Sequence, residues 1–188
     1  MTEEGTRRRG AALEADILDA TWAELMAVGY TRLTMEGVAA RARTGKQVLY
    51  RRWRNRADLV IAAMRHHSGS IADRVPDTGS LREDVLALLR LMSERQREVG
   101  PDVIHGLMAE AGDRKPEAVE IMHGVMTTLL ERAAERGEVP TAELPERIVT
   151  LPTDLLRHEI VLSDRLVTDS TLEEIVDDVF LPLVTGNG

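Results

Sequence analysis

Basic side chains crowd into one short stretch of this 188-residue chain. From Arg32 to Arg56 the sequence holds eight basic residues and a single acidic one, Glu36. The eight are Arg32, Arg41, Arg43, Lys46, Arg51, Arg52, Arg54 and Arg56. Guanidinium and ammonium groups, together with the hydroxyls of Thr34, Thr44 and Tyr50, are the groups that hold phosphate oxygens of a nucleic acid. The chemistry expected of this stretch is therefore binding of a polyanion.

The distribution of charge supports that expectation, although the net charge of the chain is −8. Residues 1–65 carry 12 basic and 8 acidic side chains, whereas residues 66–188 carry 12 basic and 24 acidic ones. Such asymmetry indicates a nucleic-acid-binding end on an acidic body. An arginine-rich face that is merely solvated is the alternative.

Capping and helix-breaking residues predict which helices carry the basic stretch. Thr34 is a predicted N-cap, since its hydroxyl can accept from a free amide of the next turn. It opens a short helix over Met35–Ala42, which Arg43-Thr44-Gly45 breaks before a second short helix over Lys46–Trp53. Asn55 then caps a helix over residues 56–67. Two short helices joined by a tight turn form a helix-turn-helix.

Within this motif the apolar and polar positions separate. Val38, Ala39, Val48 and Leu49 are predicted to hold the two helices together, and Trp53 and Trp22 are predicted to lie in the core. Lys46, Gln47, Tyr50, Arg51 and Arg52 are left for solvent or DNA.

The remaining elements are also predicted to be helices. A mobile arm over Met1–Gly10, with Arg7, Arg8 and Arg9, precedes a helix over Ala11–Val28 that Gly29 ends. A loop over residues 68–79 leads to helices over Leu81–Val99, Pro101–Ala111, Lys115–Arg136 and 145–162, and to a last helix capped by Thr171. The prediction is an all-α protein of about nine helices. Residues 1–67 would form a DNA-binding domain and residues 68–188 a larger helical domain.

The segment LTMEGVAARA (33–42), followed by TGKQVLYRRW (44–53), resembles the DNA-binding domain of TetR-family regulators. The shared pattern is a Thr cap, a Val-Ala pair, a tight turn, Leu-Tyr, two basic residues, an aromatic, a capping residue and a basic residue. Two positions depart from it. Arg43 stands where many members have Gly, which accepts the backbone of a tight turn more easily. Gly45 stands where many have Ser, so Thr44 or the Gly45 backbone must cap the second helix.

The resemblance and the side-chain chemistry together imply roles for the DNA-binding residues. Thr34, Tyr50, Arg51 or Arg52, and Arg56 are expected to contact phosphates. Lys46 and Gln47 begin the recognition helix and are expected to read base edges, because Lys suits guanine and Gln suits adenine. Arg43 can do either. The alternative for Tyr50 is packing, and for any single arginine a solvated charge.

For the larger domain, the resemblance implies a helical body that dimerises through its last two long helices and binds a small-molecule effector. The implied protein is a homodimeric repressor that leaves an inverted-repeat operator when the effector binds, with no cofactor. Candidate effector-binding residues are His105, Met108, Met122, Met126, Leu130 and His158. Plain core packing is the alternative for the methionines, and a structural or surface role for each histidine.

Several classes of protein are disfavoured. The chain has no cysteine, so disulfides and zinc–thiolate sites are excluded. No apolar run is long enough to span a membrane and the N-terminus is not a secretory signal, so a cytoplasmic location is expected. His158-Glu159 begins like a zinc-protease helix, but residue 162 is Leu where the second His is required. A non-enzymatic regulator is therefore predicted, ahead of a helical protein-interaction module and, last, a metal-dependent enzyme.

Overall fold

Regular structure in this chain is helical throughout the residues that the structure describes. The computed structural model describes residues 3–111, 117–162 and 166–186. Over these ranges it contains helices and no strand, which confirms the predicted all-α fold. No helix in these ranges is both long and apolar enough to cross a membrane.

The helices follow one another with short connections. The α-helices are α1 (Glu3–Val28), α2 (Met35–Arg41), α3 (Lys46–Tyr50), α4 (Arg56–Ser68), α5 (Leu81–Val99), α6 (Pro101–Ala111), α7 (Glu117–Glu135), α8 (Glu146–Leu162), α9 (Asp169–Glu173) and α10 (Leu181–Thr185). A π-helical stretch over Glu174–Phe180 joins α9 to α10, so the three segments form one continuous helical run. Two 3₁₀ turns, Tyr30–Arg32 and Ile71–Arg74, lie in the connections.

The chain divides into two units that do not follow sequence order. The first unit contains Met1–Ser70 and also His105–Gly112, while the second contains Ile71–Ile104 and Asp113–Gly188. Helix α6 therefore begins in the second unit and continues into the first. The sequence had predicted one boundary after residue 67 and gave no sign that residues 105–112 return to the first unit.

The first unit is built around α1, which packs against α4 and α2. Its fully buried side chains include Ile17, Leu33, Val38, Leu49 and Leu59. Burial of these apolar groups is the main force that holds the short helices in place, since helices of two turns are not stable alone. Trp53 is buried, as predicted. Trp22, which was also predicted to lie in the core, is only half-buried. Its ring stacks on that of His67 at a centroid distance of 4.1 Å.

The second unit is built on α5, α7, α8 and the helical run that starts with α9. One cluster of Leu, Val, Ile, Met and Phe side chains forms its core. The loop before α5 is held by Asp84, which is fully buried and accepts from the Thr78 amide at 2.6 Å and from Arg136 at 3.3 Å. A second ion pair joins Arg82 to Asp177 at 2.6 Å and lowers the pKa of the Asp177 carboxyl.

Three of the predicted helix ends were wrong. Helix α1 begins at Glu3, so the predicted arm is largely helical. No proline interrupts the segment. The side chains of Arg7–Arg9 lie outside what the structure describes. Helix α9 begins one turn earlier than predicted, because Thr168 is the N-cap and accepts from the Thr171 amide at 3.3 Å.

Helix α3 ends at Tyr50 rather than Trp53, and a turn follows. The predicted start of α7 at Lys115 lies outside the described residues.

Candidate nucleic-acid interface

The two short helices α2 and α3 are fixed by local caps. The Thr34 hydroxyl accepts from the Gly37 amide at 3.0 Å, as the sequence predicted. Leu33 and Val38, which flank this cap, are both fully buried. Asn55 likewise accepts from the Asp58 amide at 2.8 Å and opens α4. These caps satisfy amides that would otherwise lack a partner at a helix start.

The turn between α2 and α3 has the backbone that the sequence suggested. Arg43 has a φ of 51°, the left-handed conformation that favours glycine. The Arg43 amide donates to the Ala40 carbonyl at 3.2 Å and the Thr44 amide to the Ala39 carbonyl at 3.0 Å. Gly45 occupies the N-cap position of α3, with no side chain to accept from the first turn.

We expect Arg43→Gly to raise the free energy of unfolding by about 1 kcal/mol, because a side chain in the left-handed conformation costs that much. The same change removes an exposed charge and should weaken DNA binding. Urea unfolding and DNA titration measure the two effects separately. Arg43→Lys is the control, since it keeps both the charge and the strained backbone. Equal unfolding free energies for all three proteins would contradict the assignment of strain.

Helix α3 presents its polar side chains to solvent. Lys46, Gln47 and Arg51 are exposed, as is Arg43 in the turn before them. Tyr50 is 50% exposed, which is unusual for a large aromatic side chain. Within the described residues no acidic side chain pairs with Arg43 or Arg51, so both guanidinium groups are available to a polyanion.

Other basic side chains of this stretch are already paired with acids. Lys46 lies 3.6 Å from Glu36, a long contact between two exposed groups that costs little to break. Arg52 pairs with Glu14 at 3.0 Å. Two arginines outside the predicted DNA-binding set are also paired, Arg41 with Glu24 at 2.6 Å and Arg54 with Asp58 at 2.8 Å.

Arg56 differs from the rest because its donors are used inside the first unit. Its Nε donates to Glu110 Oε1 at 2.8 Å, and its Nη2 donates to the same oxygen. Its Nη1 donates to the carbonyls of Tyr30 at 3.2 Å and Leu33 at 3.0 Å. The guanidinium also lies over the Tyr30 ring, 4.7 Å from its centroid. Arg56 thus joins α4, the 3₁₀ turn and α6.

Tyr30 and Glu110 complete this cluster, in which the three side chains shift one another's pKa values. The Tyr30 hydroxyl donates to Glu110 Oε2 at 3.0 Å. Burial and this bond to a carboxylate raise the pKa of Tyr30 above its usual value. The bonds from Arg56 lower the pKa of Glu110. Sequence reasoning missed Tyr30 and Glu110, because neither lies in the helix-turn-helix pattern.

We expect Glu110→Gln to lower the free energy of unfolding at neutral pH by about 1 kcal/mol, a modest figure because the ion pair is part-exposed. The lowered pKa of Glu110 means that its contribution is present above pH 4.5 and is lost as the pH falls further. The difference between wild type and variant should therefore shrink below pH 4.5. Unfolding curves at pH 7 and pH 3.5 test this, with Glu94→Gln on the exposed side of α5 as the control. A constant difference at both pH values would contradict it.

Close packing accompanies the cluster. A Cβ added to Gly106 would lie 2.1 Å from the Tyr30 Cδ1 atom, and Tyr30 itself is 2% exposed. Gly106 and Glu110 stand four residues apart on α6, so both lie on the face that meets Tyr30. A glycine was needed here because any side chain would overlap the ring.

The candidate effector residues fall into three places. Met122, Met126 and Leu130 are buried in the core of the second unit. His105 and Met108 belong to the first unit, where Met108 is 41% exposed, and His158 is exposed on α8. The role of these six residues in effector binding stays a prediction.

A surface cavity of about 170 Å³ lies in the second unit. Its lining residues are Val119, Glu120, His123, Glu146 and Thr150. This volume is below the roughly 300 Å³ at which small-molecule sites begin. No three His, Asp or Glu side chains in the described ranges are grouped so that they could hold a metal ion.

Family models match most of the chain. The model described as "Bacterial regulatory proteins, tetR family" matches residues 17–63, which contain the helix-turn-helix. The model described as "Tetracyclin repressor-like, C-terminal domain" matches residues 75–179.

Curated relatives match over nearly the full length. The chain is 33% identical over 182 residues to the HTH-type transcriptional regulator Rv1556 of Mycobacterium tuberculosis, covering 92% of this chain and 88% of that protein. It is 32% identical over 184 residues to the DNA-binding transcriptional repressor TetR of Mycobacteroides abscessus, covering 94% of this chain and 96% of that protein.

Solved structures share the fold. The TetR family transcription regulator SCO0332 superposes with a TM-score of 0.66 at 22% identity, covering 89% of this chain and 96% of that one. A TetR-family regulator from Mesorhizobium loti gives a TM-score of 0.61 at 16% identity, covering 94% and 98%. Because these family models cover the helix-turn-helix and residues 75–179, and relatives at 32–33% identity match over nine-tenths of its length, the chain belongs to the TetR family of DNA-binding transcriptional regulators.

Proposed function

We propose that the protein is a homodimeric repressor that binds an inverted-repeat operator and leaves it when a small-molecule effector binds. The first unit is the DNA-binding domain and the second unit the effector-binding and dimerisation domain. The observation that carries the proposal is the exposed face of α3, on which Lys46, Gln47 and Tyr50 lie at the surface and the contact of Lys46 with Glu36 is long and exposed. The protein acts in the cytoplasm, where its target DNA lies.

The contacts proposed with DNA follow from which side chains are exposed. Lys46 and Gln47 read base edges in the major groove. Tyr50, Arg43 and Arg51 hold phosphates, because their polar ends are exposed. The Thr34 hydroxyl accepts from Gly37 and keeps its own proton to donate to a phosphate. Thr44 and Gly45 bring the backbone at the start of α3 to the DNA.

Arg52 and Arg56 have different tasks. Arg52 must exchange Glu14 for a phosphate, which is feasible because the pair is part-exposed. Arg56 positions the interface instead of touching DNA, since its donors already bind Glu110 and two carbonyls. A phosphate contact contributes about 0.9 to the slope of log affinity against log salt. We therefore expect Arg56→Lys to leave this slope unchanged, whereas Arg51→Ala lowers it. A lower slope for Arg56→Lys would return Arg56 to the phosphate set.

Dimerisation is supported by apolar side chains left exposed near the C-terminus. Leu162, Leu166 and Leu183 are 72%, 59% and 52% exposed, and Val179 is 39% exposed. Such side chains, three on the last helices and Leu166 in the connection before α9, favour a two-fold interface with a second copy. A dimer places two recognition helices about 34 Å apart, one turn of DNA.

Release from the operator is a shift in population between two conformations. The effector favours a conformation whose recognition helices no longer match the operator spacing. Helix α4 is the proposed lever, and α6 is a second connection because its residues belong to both units.

Binding to fragments of the DNA that flanks the protein's own gene tests the proposal. Fluorescence anisotropy at 50 and 200 mM salt would show nanomolar binding to one fragment with an inverted repeat, and on the order of a thousandfold weaker binding at higher salt. Footprinting should show two protected half-sites about 10 base pairs apart, or a multiple of that spacing. Equal affinity for every fragment would refute sequence-specific regulation.

A further inference from the structure

Helix α5 of the second unit carries two buried polar side chains whose hydrogen bonding is incomplete. Ser93 and Gln96 are 2% and 3% exposed. Within the described part of the chain, Ser93 Oγ and Gln96 Oε1 have no hydrogen-bond partner. A buried acceptor without a partner destabilises the fold, so each such atom in a native protein needs an explanation.

Other hydroxyls on helices of this chain are satisfied by the backbone. Each donates to a carbonyl one turn back, as Ser93 could but does not. The examples are Thr21 to Ile17 at 2.7 Å, Thr127 to His123 at 2.9 Å, Thr128 to Gly124 at 3.1 Å and Thr185 to Leu181 at 2.9 Å. The hydroxyl of Ser93 is therefore an exception that local helix geometry does not explain.

The two residues lie one turn apart on α5, and both are buried. Residues three apart on a helix share one face, about one turn from each other. Leu89, one turn before Ser93, is fully buried in the core cluster of the second unit. Helix α7, which carries Met122 and Met126, packs against α5. Ser93 and Gln96 are thus buried polar residues on a helix of the second unit, whose core cluster is otherwise apolar.

The hydrogen-bonding chemistry of the two side chains limits which ligand groups can bond to both of them. The Gln96 carbonyl oxygen can only accept, whereas the Ser93 hydroxyl can donate and accept. A ligand hydroxyl fits both, since its proton goes to Gln96 Oε1 and its oxygen accepts from Ser93. A carboxylate has no proton for Gln96. An ammonium would need a buried acid, and the fully buried Asp84 is already paired with Arg136.

We propose that Ser93 and Gln96 form the polar end of the effector site, and that the effector is a largely apolar molecule carrying a neutral hydroxyl. The proposal rests on the effector-controlled function inferred above and names the chemical class of its ligand. It adds two residues that no motif indicated, on the helix next to the predicted methionines of α7.

Phenol and its methyl ether, anisole, test the proposal because anisole carries a methyl group in place of the hydroxyl proton and so cannot donate to Gln96 Oε1. Phenol should raise the melting temperature of the full-length protein saturably and bind about tenfold more tightly than anisole. The double variant Ser93→Ala, Gln96→Met should lose this preference. Thr127→Ala, which removes a hydroxyl already bonded to the backbone, should keep it.

Stability provides a second measurement. If Ser93 Oγ and Gln96 Oε1 bind a ligand and do not stabilise the folded protein, the double variant should unfold at the same temperature as wild type or at a higher one. The single variant Ser93→Ala removes only one oxygen and serves as the second test if the double variant does not fold. Its melting temperature should likewise equal or exceed that of wild type. A lower melting temperature for Ser93→Ala would show that the hydroxyl stabilises the fold through an internal water, and would overturn the proposal.

The outcomes also separate this inference from the proposed function. Operator binding is measured on the same proteins and should be unchanged in the double variant without phenol. Equal binding of phenol and anisole by wild type, or no saturable binding, would overturn the assignment of Ser93 and Gln96 even if operator binding is intact. Absence of operator binding in wild type would refute the repressor and leave the phenol result standing.

Discussion

Replacing Lys46 and Tyr50 together by Ala is expected to lower operator affinity by at least about a hundredfold. A base contact from Lys46 contributes about 1–3 kcal/mol, and the hydrogen bond from Tyr50 to a phosphate about 1.5 kcal/mol or more. Their sum, about 3 kcal/mol, corresponds to roughly two orders of magnitude. Discrimination between operator and random DNA should fall as well, because the contact proposed for Lys46 is to a base.

The fold should survive this double change. Both side chains are exposed, so the free energy of unfolding measured in urea should change by less than about 0.5 kcal/mol. Arg147→Ala, on an exposed position of α8, is the control for losing one positive charge elsewhere. If Arg147→Ala weakens binding as much as the double variant does, net charge and not the recognition helix governs affinity.

Gly106→Ala should destabilise the first unit, although replacing a glycine inside a helix by alanine usually stabilises a protein. Alanine would normally gain up to about 1 kcal/mol in a helix interior. Here its Cβ would lie 2.1 Å from Cδ1 and 2.5 Å from Cε1 of Tyr30, a ring that is nearly fully buried and held by Glu110. Relieving that overlap costs about 1–3 kcal/mol and pushes residues 105–111 away from the ring.

Gly124→Ala is the matched control, because Gly124 is also inside a helix and nothing lies within 4 Å of its added Cβ. It should be neutral or stabilising by up to about 1 kcal/mol. Urea unfolding of the two variants should therefore give changes of opposite sign. A gain in stability for Gly106→Ala would mean that α6 does not pack on Tyr30 as described.

Local signals account for what the sequence predicted well. The caps at Thr34 and Asn55, the apolar positions 33 and 38, and the glycine-like turn at Arg43 are all set by neighbours within a few residues. Hydrogen bonds over three residues and a φ of 51° then confirm them. Helix ends were predicted less well, because Glu3 and Thr168 begin helices on weaker signals.

Contacts distant in sequence account for what was missed. Arg56 fits the family's basic position after the cap, and nothing nearby indicates that its donors are used by Glu110, which is 54 residues away. The overlap that makes Gly106 necessary depends on Tyr30, in another element. The unpaired atoms of Ser93 and Gln96 were also invisible, since a serine and a glutamine on a helix are expected on its solvent side.

The discontinuous first unit limits how regulators of this kind can be recombined. A fragment ending at Ser70 would leave the Tyr30 ring and the Arg56 guanidinium without the part of α6 that packs on them. A hybrid that joins this helix-turn-helix to the body of another regulator would inherit a foreign α6, with its own residues facing Tyr30. Exchanging DNA specificity between relatives therefore requires transplanting residues 105–112 together with residues 1–70, so that the graft consists of two pieces of chain.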